Sequence, residues 1–386
     1  MKGLRDVYVI GIGQSKFSKQ PQYTAIELGA IAAGAAIKDA GIDPRDLQVA
    51  YGARIEQQSQ TAEDVLKRFG VQRIEMHNVE NACCTGFSAV RQLWKDIAYG
   101  IYDIGIAIGT ESLSNSPLAG GQVPTAKGAF LDLIGCTAST ATGMQAHALM
   151  ERRGATMEDL AYSAWKNHRH AVFNPYAHYR KEMSIEDIVN SEMITSPITK
   201  LMMCPMSDGA ASVIMCTKEE ALKYTTKLVK MDCAEVITGI YATYNDDPCL
   251  NPMLMELSSR CYNLAGYGPD DLSLVELHDA FSPEELSVYE SMGFCAIGDT
   301  VKLLRERATE MGGRLPVNLS GGLLSLGHPL GASGCRVVVD ITRQLRGEAA
   351  PEIQVKNPKC GLAQMIGGQL AGRNGAEVAT IALLSV

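Results

Sequence analysis

The 386-residue sequence predicts an α/β fold built from two related halves, and three observations carry that prediction. Strand-like and helix-like patterns alternate along the chain. The run YDIGIAIGTE at residues 102–111 is almost wholly apolar, as a strand buried on both faces of a parallel sheet must be. The third observation is internal: AGIDPRDLQVAY from Ala40 matches AGYGPDDLSLVE from Ala265 without a gap, sharing the Ala-Gly, Pro and Asp-Leu frame. Each copy predicts a helix ending at a glycine, Gly41 or Gly266, then a Pro-containing turn, then a strand beginning after Leu47 or Leu272.

Residues 6–17 form a β-rich apolar run, and residues 24–40 carry the Ala/Ile/Leu spacing of a helix, so the chain opens as strand then helix. Residues 46–55 and 61–69 repeat that order as a second strand and a short helix. Beyond NVENACC at residues 78–84, the spacing of Phe87, Val90, Leu93, Trp94 and Ile97 gives a core-facing helix starting near Cys84. The apolar strand at 102–111 follows. From 113 to 205 the pattern loosens into Ser/Gly/Pro-rich stretches and amphipathic helices, residues 157–180 among them, and reads as an inserted substrate-side region. Alternation resumes at residues 207–216, and the second copy of the duplicated segment places a strand at 274–277. The halves are assigned to residues 1–235, carrying the insertion, and 236–386. In each half a glycine-containing turn opens a small-residue helix, CCTG at 83–86 and GASG at 331–334, which predicts one site between the halves.

Composition narrows the function. With 46% hydrophobic and 20% charged residues the chain has ordinary globular usage, not that of a disordered or fibrous protein. A net charge of -8 argues against a nucleic-acid partner, because phosphates need a basic surface. No apolar run approaches the roughly 20 residues of a membrane helix. Residues 1–17 read as a strand rather than a leader, so a soluble, cytoplasmic protein without membrane contact is expected. Eleven cysteines include no CxxC pair, which speaks against a zinc knuckle or a disulfide framework; most are expected reduced and buried.

Four segments carry residue types suited to chemistry. Cys83 precedes a helix start, where unpaired amides and the helix dipole draw a thiol toward thiolate; a buried structural cysteine is the competing reading, and Cys84 is expected to point into the core. His278, in HDAF, follows the duplicated strand and so lies where α/β sites gather, although Asp279 beside it would also serve simply to fix its tautomer. His328 sits in SGGLLSLGHPLGASG, residues 320–334, whose glycines allow close backbone approach to a ligand. That segment lacks the Gly-Lys-Ser/Thr ending of a nucleotide loop, and GIGQSK at 11–16 lacks the third glycine of a dinucleotide fingerprint. Cys360 stands before a second glycine-rich turn in KCGLAQMIGGQLAG, residues 359–372.

These four segments, in this order, resemble the thiolase superfamily, in particular its sterol-carrier-type and archaeal branch. The resemblance rests on the NACxTG nucleophile segment, on HDAF, on GGLxxxGHPxGASG and on the glycine-rich C-terminal turn. It extends to KNHRHAVFNPYAHYR at 166–180 and CPMSDGAA at 204–211. It implies a duplicated α/β/α/β/α layered fold. It also implies that Cys83 is acylated by an acyl-CoA, that His328 takes the thiol proton, and that His278 with a water holds an enolate oxygen. The backbone N–H of Cys83 and one from Gly367 or Gly368 would hold the acyl-enzyme oxygen. Relatives of this branch often carry HDCF, whose cysteine moves the α-carbon proton, but here that position is Ala280. The role passes to Cys360, although Gln364 and Met365 stand where relatives have His-Asn, an alignment that sets Gly361 rather than Cys360 near the expected spot.

Coenzyme A and acyl-CoA are implied as substrates, with no tightly bound cofactor and no metal. A homodimer or dimer of dimers is implied, together with a small OB-fold, zinc-ribbon partner subunit suggested by the short stretch between Tyr51 and Cys83. Three activities remain open from the sequence: a CoA-dependent thiolase, a related lyase or decarboxylating condensing enzyme, and a non-catalytic CoA-binding subunit.

Overall fold

The computed structural model describes residues 4–55, 60–116, 137–239, 247–368 and 377–386. Strand β1 (Val7–Gln14) leads to helix α1 (Ala25–Ala40). Thr24 Oγ1 accepts from Glu27 N while the Glu27 carboxylate accepts from Thr24 N, a capping box that satisfies two otherwise unpaired amides. Then come β2 (Val49–Ala53), α2 (Thr61–Leu66), β3 (Glu75–Val79), α3 (Thr85–Ala98) and β4 (Ile104–Ser112). Between β4 and β7 (Asp208–Thr217) lie α4 (Ala138–Arg153), α5 (Met157–Ala171), α6 (Ile185–Val189) and the short pair β5 (Met193–Thr195) and β6 (Ile198–Thr199). The chain continues through α7 (Lys218–Tyr224), β8 (Val229–Thr238), α8 (Pro252–Ala265), β9 (Leu274–Glu276) and α9 (Ser282–Ser291). It closes with α10 (Thr300–Arg305), α11 (Gly322–Leu326), α12 (Leu330–Leu345), β10 (Cys360–Gly368) and β11 (Glu377–Ser385).

Among the described residues, nine strands form one sheet in the order β3-β2-β4-β7-β1-β8-β11-β10-β9. Strand β2 runs parallel to β3 and β4, and β9 parallel to β10, whereas the other pairs are antiparallel. The half-sheets β3-β2-β4-β7-β1 and β8-β11-β10-β9 join narrowly, since β1 and β8 pair only at Tyr8↔Lys230 and Val9↔Val229, and the boundary expected at 235/236 falls within β8.

Alternate strand residues face opposite layers. Val7, Val9, Ala107 and Val213 share a core with α3 and α12, whereas Tyr8, Ile10, Ile106 and Ile214 pack with α1. In the second half, Ala363 and Met365 join the α3/α12 core, and Leu362 and Ile366 pack with α8. Helices α3 and α12 therefore form a layer between the half-sheets with α1 and α8 outside, the predicted α/β/α/β/α order. Their crossing is close enough to demand glycine: a Cβ on Gly334 would lie 2.0 Å from Phe87 N, and one on Gly86 would lie 2.5 Å from Gly331 O.

The duplicated segment has the same structure twice. Gly41 at φ 69° and Gly266 at φ 81° end α1 and α8, and the Pro44–Asp46 and Pro269–Asp271 turns feed β2 and β9. Elsewhere the structure departs from the sequence reading. Strand β3 has no counterpart there, because it is a half-exposed edge without apolar alternation. The glycine-rich turn expected at 359–372 is a strand as far as Gly368, every residue of it paired with β11, and residues 369–372 lie outside those described. The helix expected over 157–180 stops at Ala171. Of the loose region at 113–205, residues 117–136 lie outside those described. No described helix is long and apolar enough to cross a membrane.

Candidate active site

Cys83 lies in the turn between β3 and α3, directly before Cys84, which opens the helix. Ala82 holds φ at 49°, a left-handed value that is uncommon for a residue with a side chain. Thr85 supports this shape, its Oγ1 accepting from Asn81 N at 2.7 Å and donating to Ala82 O at 2.6 Å. Cys84 is fully buried in the core, as the sequence suggests, while Cys83 stays partly accessible. His278 leaves the C-terminal end of β9, and His328 stands between α11 and α12. Cys83 Sγ and one ring nitrogen from each histidine lie within 4.8 Å of one another. Three of the site residues read from the sequence therefore meet.

In both rings Nδ1 is engaged and Nε2 has no hydrogen-bond partner. His328 Nδ1 lies 2.8 Å from Ser333 Oγ, and that hydroxyl donates to Pro329 O at 3.0 Å. With its proton committed to the carbonyl, Ser333 accepts from the ring, so His328 is protonated on Nδ1 and offers the Nε2 lone pair to the cluster. His278 Nδ1 instead faces Glu284 Oε2 at 3.1 Å. Burial first, then the charges of His278 and Arg336, hold His328 well below the usual imidazole range. Burial works against charge on His278 too, but the Cys83 sulfur and the Glu284 carboxylate outweigh it and raise its pKa to about 10. Two imidazoles driven apart in this way can act as a base and an acid beside one thiol.

Asp279 does not fix the His278 tautomer, one of the roles that the sequence allows it; Glu284 occupies that place. Asp279 accepts from Leu323 N at 2.6 Å and from Asn167 Nδ2 at 2.7 Å. Glu276, two residues before His278, accepts from Ser320 N at 2.9 Å, Ser320 Oγ at 2.6 Å and Arg336 Nη1 at 2.7 Å. These carboxylates bind the end of β9 to the loop that carries His328, fixing one histidine relative to the other. Gln364 adds a further tie, its Oε1 accepting from His278 N at 3.0 Å.

Sequence reasoning passes over Glu284 and Ser333 and notes Gln364 only as a departure from relatives, since each acts through a contact made only on folding. Ser333 alone had a usable signal: it follows Pro329 by four residues at a helix start, the spacing at which a hydroxyl reaches back to a carbonyl.

Cys360 is the expected site residue that the structure does not bring in. Its thiol sits 3.1 Å from Asp271 O at the start of β10, among residues that face α8. Gly367, at the other end of that strand, lies beside the nucleophile turn: a Cβ there would stand 2.8 Å from Cys83 N and from Cys84 N. Seven residues of extended chain separate the two by roughly 23 Å. Face parity also excludes Cys360, because residues 361, 363, 365 and 367 face the α3/α12 layer and residue 360 does not.

Residues 7–219 match the family model described as Thiolase, N-terminal domain, and residues 239–376 match Thiolase C-terminal domain-like. The chain is 35% identical over 378 residues to the benzoylsuccinyl-CoA thiolase subunit BbsB of Thauera aromatica, covering 97% of this chain and 98% of that one. It is 32% identical over 372 residues to an acetyl-CoA acetyltransferase of Methanothermobacter thermautotrophicus, covering 95% and 97%. Bos taurus sterol carrier protein 2 is 32% identical over 380 residues, covering 94% of this chain and 70% of that protein. The same fold recurs in the solved structure named Ltp2-ChsH2(DUF35) aldolase, with a TM-score of 0.83 at 24% identity over 97% of this chain and 98% of that one. It recurs in the Syntrophomonas wolfei acetyl-CoA acetyltransferase with a TM-score of 0.73 at 21% identity, over 99% of each chain. With both halves matched in order and the Cys-His-His cluster lying where the halves meet, the chain belongs to the thiolase family.

Proposed function

We propose that this chain is a CoA-dependent thiolase that cleaves a 3-oxoacyl-CoA with CoA, or runs the reverse Claisen condensation, through an acyl group carried on Cys83. The observation that carries this reading is the approach of one ligand atom each of Cys83, His278 and His328 to within 4.8 Å, in surroundings that push the two imidazole pKa values in opposite directions. His328 Nε2 takes the Cys83 proton and the sulfur attacks the 3-oxo carbon. The oxyanion that forms is met by the backbone N–H of Cys83 and by that of Gly367 or Gly368. Breaking the C2–C3 bond leaves an acyl thioester on Cys83 and the enolate of the shorter acyl-CoA, whose oxygen the protonated His278 holds from Nε2. CoA then takes the acyl group.

CoA and acyl-CoA are substrates in this scheme, and it needs no tightly bound cofactor. A homodimer or dimer of dimers is the proposed assembly. The Thauera relative is named as a subunit, and this sequence has no CxxC pair of its own, so a small OB-fold, zinc-ribbon companion completes the proposal.

The test is intact-protein mass after incubation with acetyl-CoA, and with bulkier 3-oxoacyl-CoAs plus CoA, on wild type and Cys83→Ala. An acyl adduct that depends on Cys83 is the expected result, whereas turnover surviving in Cys83→Ala overturns the reading. Activity on a hydroxyacyl-CoA or a malonyl thioester without free CoA would select a related lyase or condensing enzyme. CoA binding with no adduct would select a non-catalytic subunit.

A further inference from the structure

Carbon–carbon cleavage leaves an electron pair on C2 of the departing acyl-CoA, and that carbon must gain a proton. At that moment Cys83 is acylated, His328 holds the proton that it returns to Cys83 when the acyl group leaves, and His278 is engaged at the enolate oxygen, so a separate acid placed at the carbon is required. Ala280, two residues beyond His278, offers only a methyl group. Cys204 stands opposite it. Met203 and Phe281 form an antiparallel bridge, and Cys204 N donates to Ala280 O at 2.9 Å. Residues 204 and 280 are thereby directly opposed, and opposed residues of an antiparallel pair carry their side chains on the same face with Cα atoms about 5.5 Å apart. The Cys204 thiol therefore shares a face with the Ala280 methyl, next to the space that a longer side chain at position 280 would fill.

Its surroundings place it in the same site. Burial, then the charges of Glu284, Asp279 and Cys83, push the Cys204 thiol up, so it stays protonated. Among the described cysteines, Cys83, Cys204 and Cys295 are the ones not fully buried, and the charges that act on Cys295 are those of Glu290, Asp299, Arg314 and Arg153, none of them in the cluster. Around Cys83 and Cys204, buried His278 Nε2, His328 Nε2 and Glu284 Oε1 have no protein partner, as groups that await a substrate would.

We propose that Cys204 is the catalytic proton carrier at the substrate carbon, an assignment that rests on the thiolase reading above. As the C2–C3 bond breaks, its electron pair stays on C2. The Cys204 S–H bond then breaks, its proton forms the new C2–H bond, and a thiolate remains. That thiolate takes the proton of the CoA thiol, and the CoA sulfur attacks the acyl group on Cys83. Cys83 leaves as thiolate and recovers its proton from His328. In the condensing direction the Cys204 thiolate removes the α-proton.

The experiment compares wild type, Cys204→Ala, Cys204→Ser and the double variant Cys204→Ala/Ala280→Cys in the whole chain. Three quantities are read: the Cys83 acetyl adduct formed from acetyl-CoA, exchange of the acetyl-CoA methyl hydrogens in D2O, and turnover. Cys204→Ala is expected to keep the adduct while exchange and turnover fall by about 10²- to 10⁴-fold. Cys204→Ser, with a far weaker acid, is expected to resemble it, and the double variant is expected to regain about tenfold or more, which a structural role for Cys204 would not produce. Exchange and turnover in Cys204→Ala within about threefold of wild type overturn the assignment. Complete loss of the adduct in Cys204→Ala, even after long incubation, also overturns it, because CoA can leave acetyl-CoA as a thiolate and take its proton from solvent, whereas C2 cannot. A wild type that forms no adduct removes the thiolase reading itself, a result separable from either of these.

Discussion

His278 and His328 meet edge to face, with ring centroids 5.3 Å apart and ring planes at 82°, and each presents an unpartnered Nε2 while its Nδ1 is held from behind. The holder is a carboxylate for His278 and a hydroxyl that can only accept for His328. Two chemically identical side chains thus acquire opposite affinities for a proton within one small volume. In the proposed reaction that difference, more than the residue types, would give Cys83 a base on one side and an acid on the other.

Ser333→Ala tests the base. Without the hydroxyl, His328 Nδ1 loses its partner and the ring its fixed tautomer. The rate of Cys83 acylation should fall about 10²-fold with little change in thermal midpoint. Rapid-quench mass measurement of the adduct checks this, and an unchanged acylation rate would remove Ser333 from the mechanism.

Glu284→Gln tests the acid. The Glu284 carboxylate is one of two groups that hold the His278 pKa up at about 10, against burial, which lowers it. Replacing the charge by an amide leaves burial with less opposition, so His278 should lose its proton at lower pH. The alkaline limb of the kcat profile should move down by about one unit or more; a limb that stays in place would mean that another group sets it.

Gly367→Ala tests the oxyanion side. The added Cβ would lie 2.8 Å from Cys83 N and from Cys84 N, both backbone atoms that cannot swing aside. Acylation should drop about 10²- to 10³-fold in a folded protein, the scale of losing one oxyanion donor. Circular dichroism beside the adduct assay separates this from unfolding.

Cys360→Ala separates the two candidate proton carriers. Its thiol is engaged with Asp271 O at the far end of β10, so turnover should remain within about twofold while stability falls by about 1 kcal/mol for the small void. A turnover loss as large as that expected for Cys204→Ala would return Cys360 to the mechanism.

Acid should destabilise the protein through His170. Its Nδ1–H points to Asn318 O at 3.1 Å and its Nε2 accepts from Met311 N at 3.3 Å, an arrangement that only the neutral ring satisfies. Burial first, then the Lys166 charge, lowers its pKa to about 3. The unfolded chain therefore binds the proton more readily, so stability is complete above the ordinary imidazole value near 6.5 and declines as pH falls toward 3. The loss should reach about 2 kcal/mol at pH 5 from this residue. Urea midpoints at pH 7 and pH 5 should fall less in His170→Gln than in wild type.

Sequence alone determined the α/β class and the repeated helix–turn–strand segment, and it singled out Cys83, His278 and His328, which the fold brings together. These features are written in local signals: the continuous, largely apolar runs of β1, β4 and β7, the twin turns at Pro44 and Pro269, and the glycine-rich settings of Cys83 and His328. Tertiary structure decided what depends on register and face. A one-residue step turns a strand side chain to the opposite layer, which is why Gly361 and Gly367 face the helical layer and Cys360 does not. Pairing of Met203 with Phe281 sets Cys204 across from Ala280, a meeting of distant segments that no local pattern encodes. The proton states of the two histidines were equally out of reach of local reading, because they follow from burial and from partners delivered by other elements as the halves close around α3 and α12.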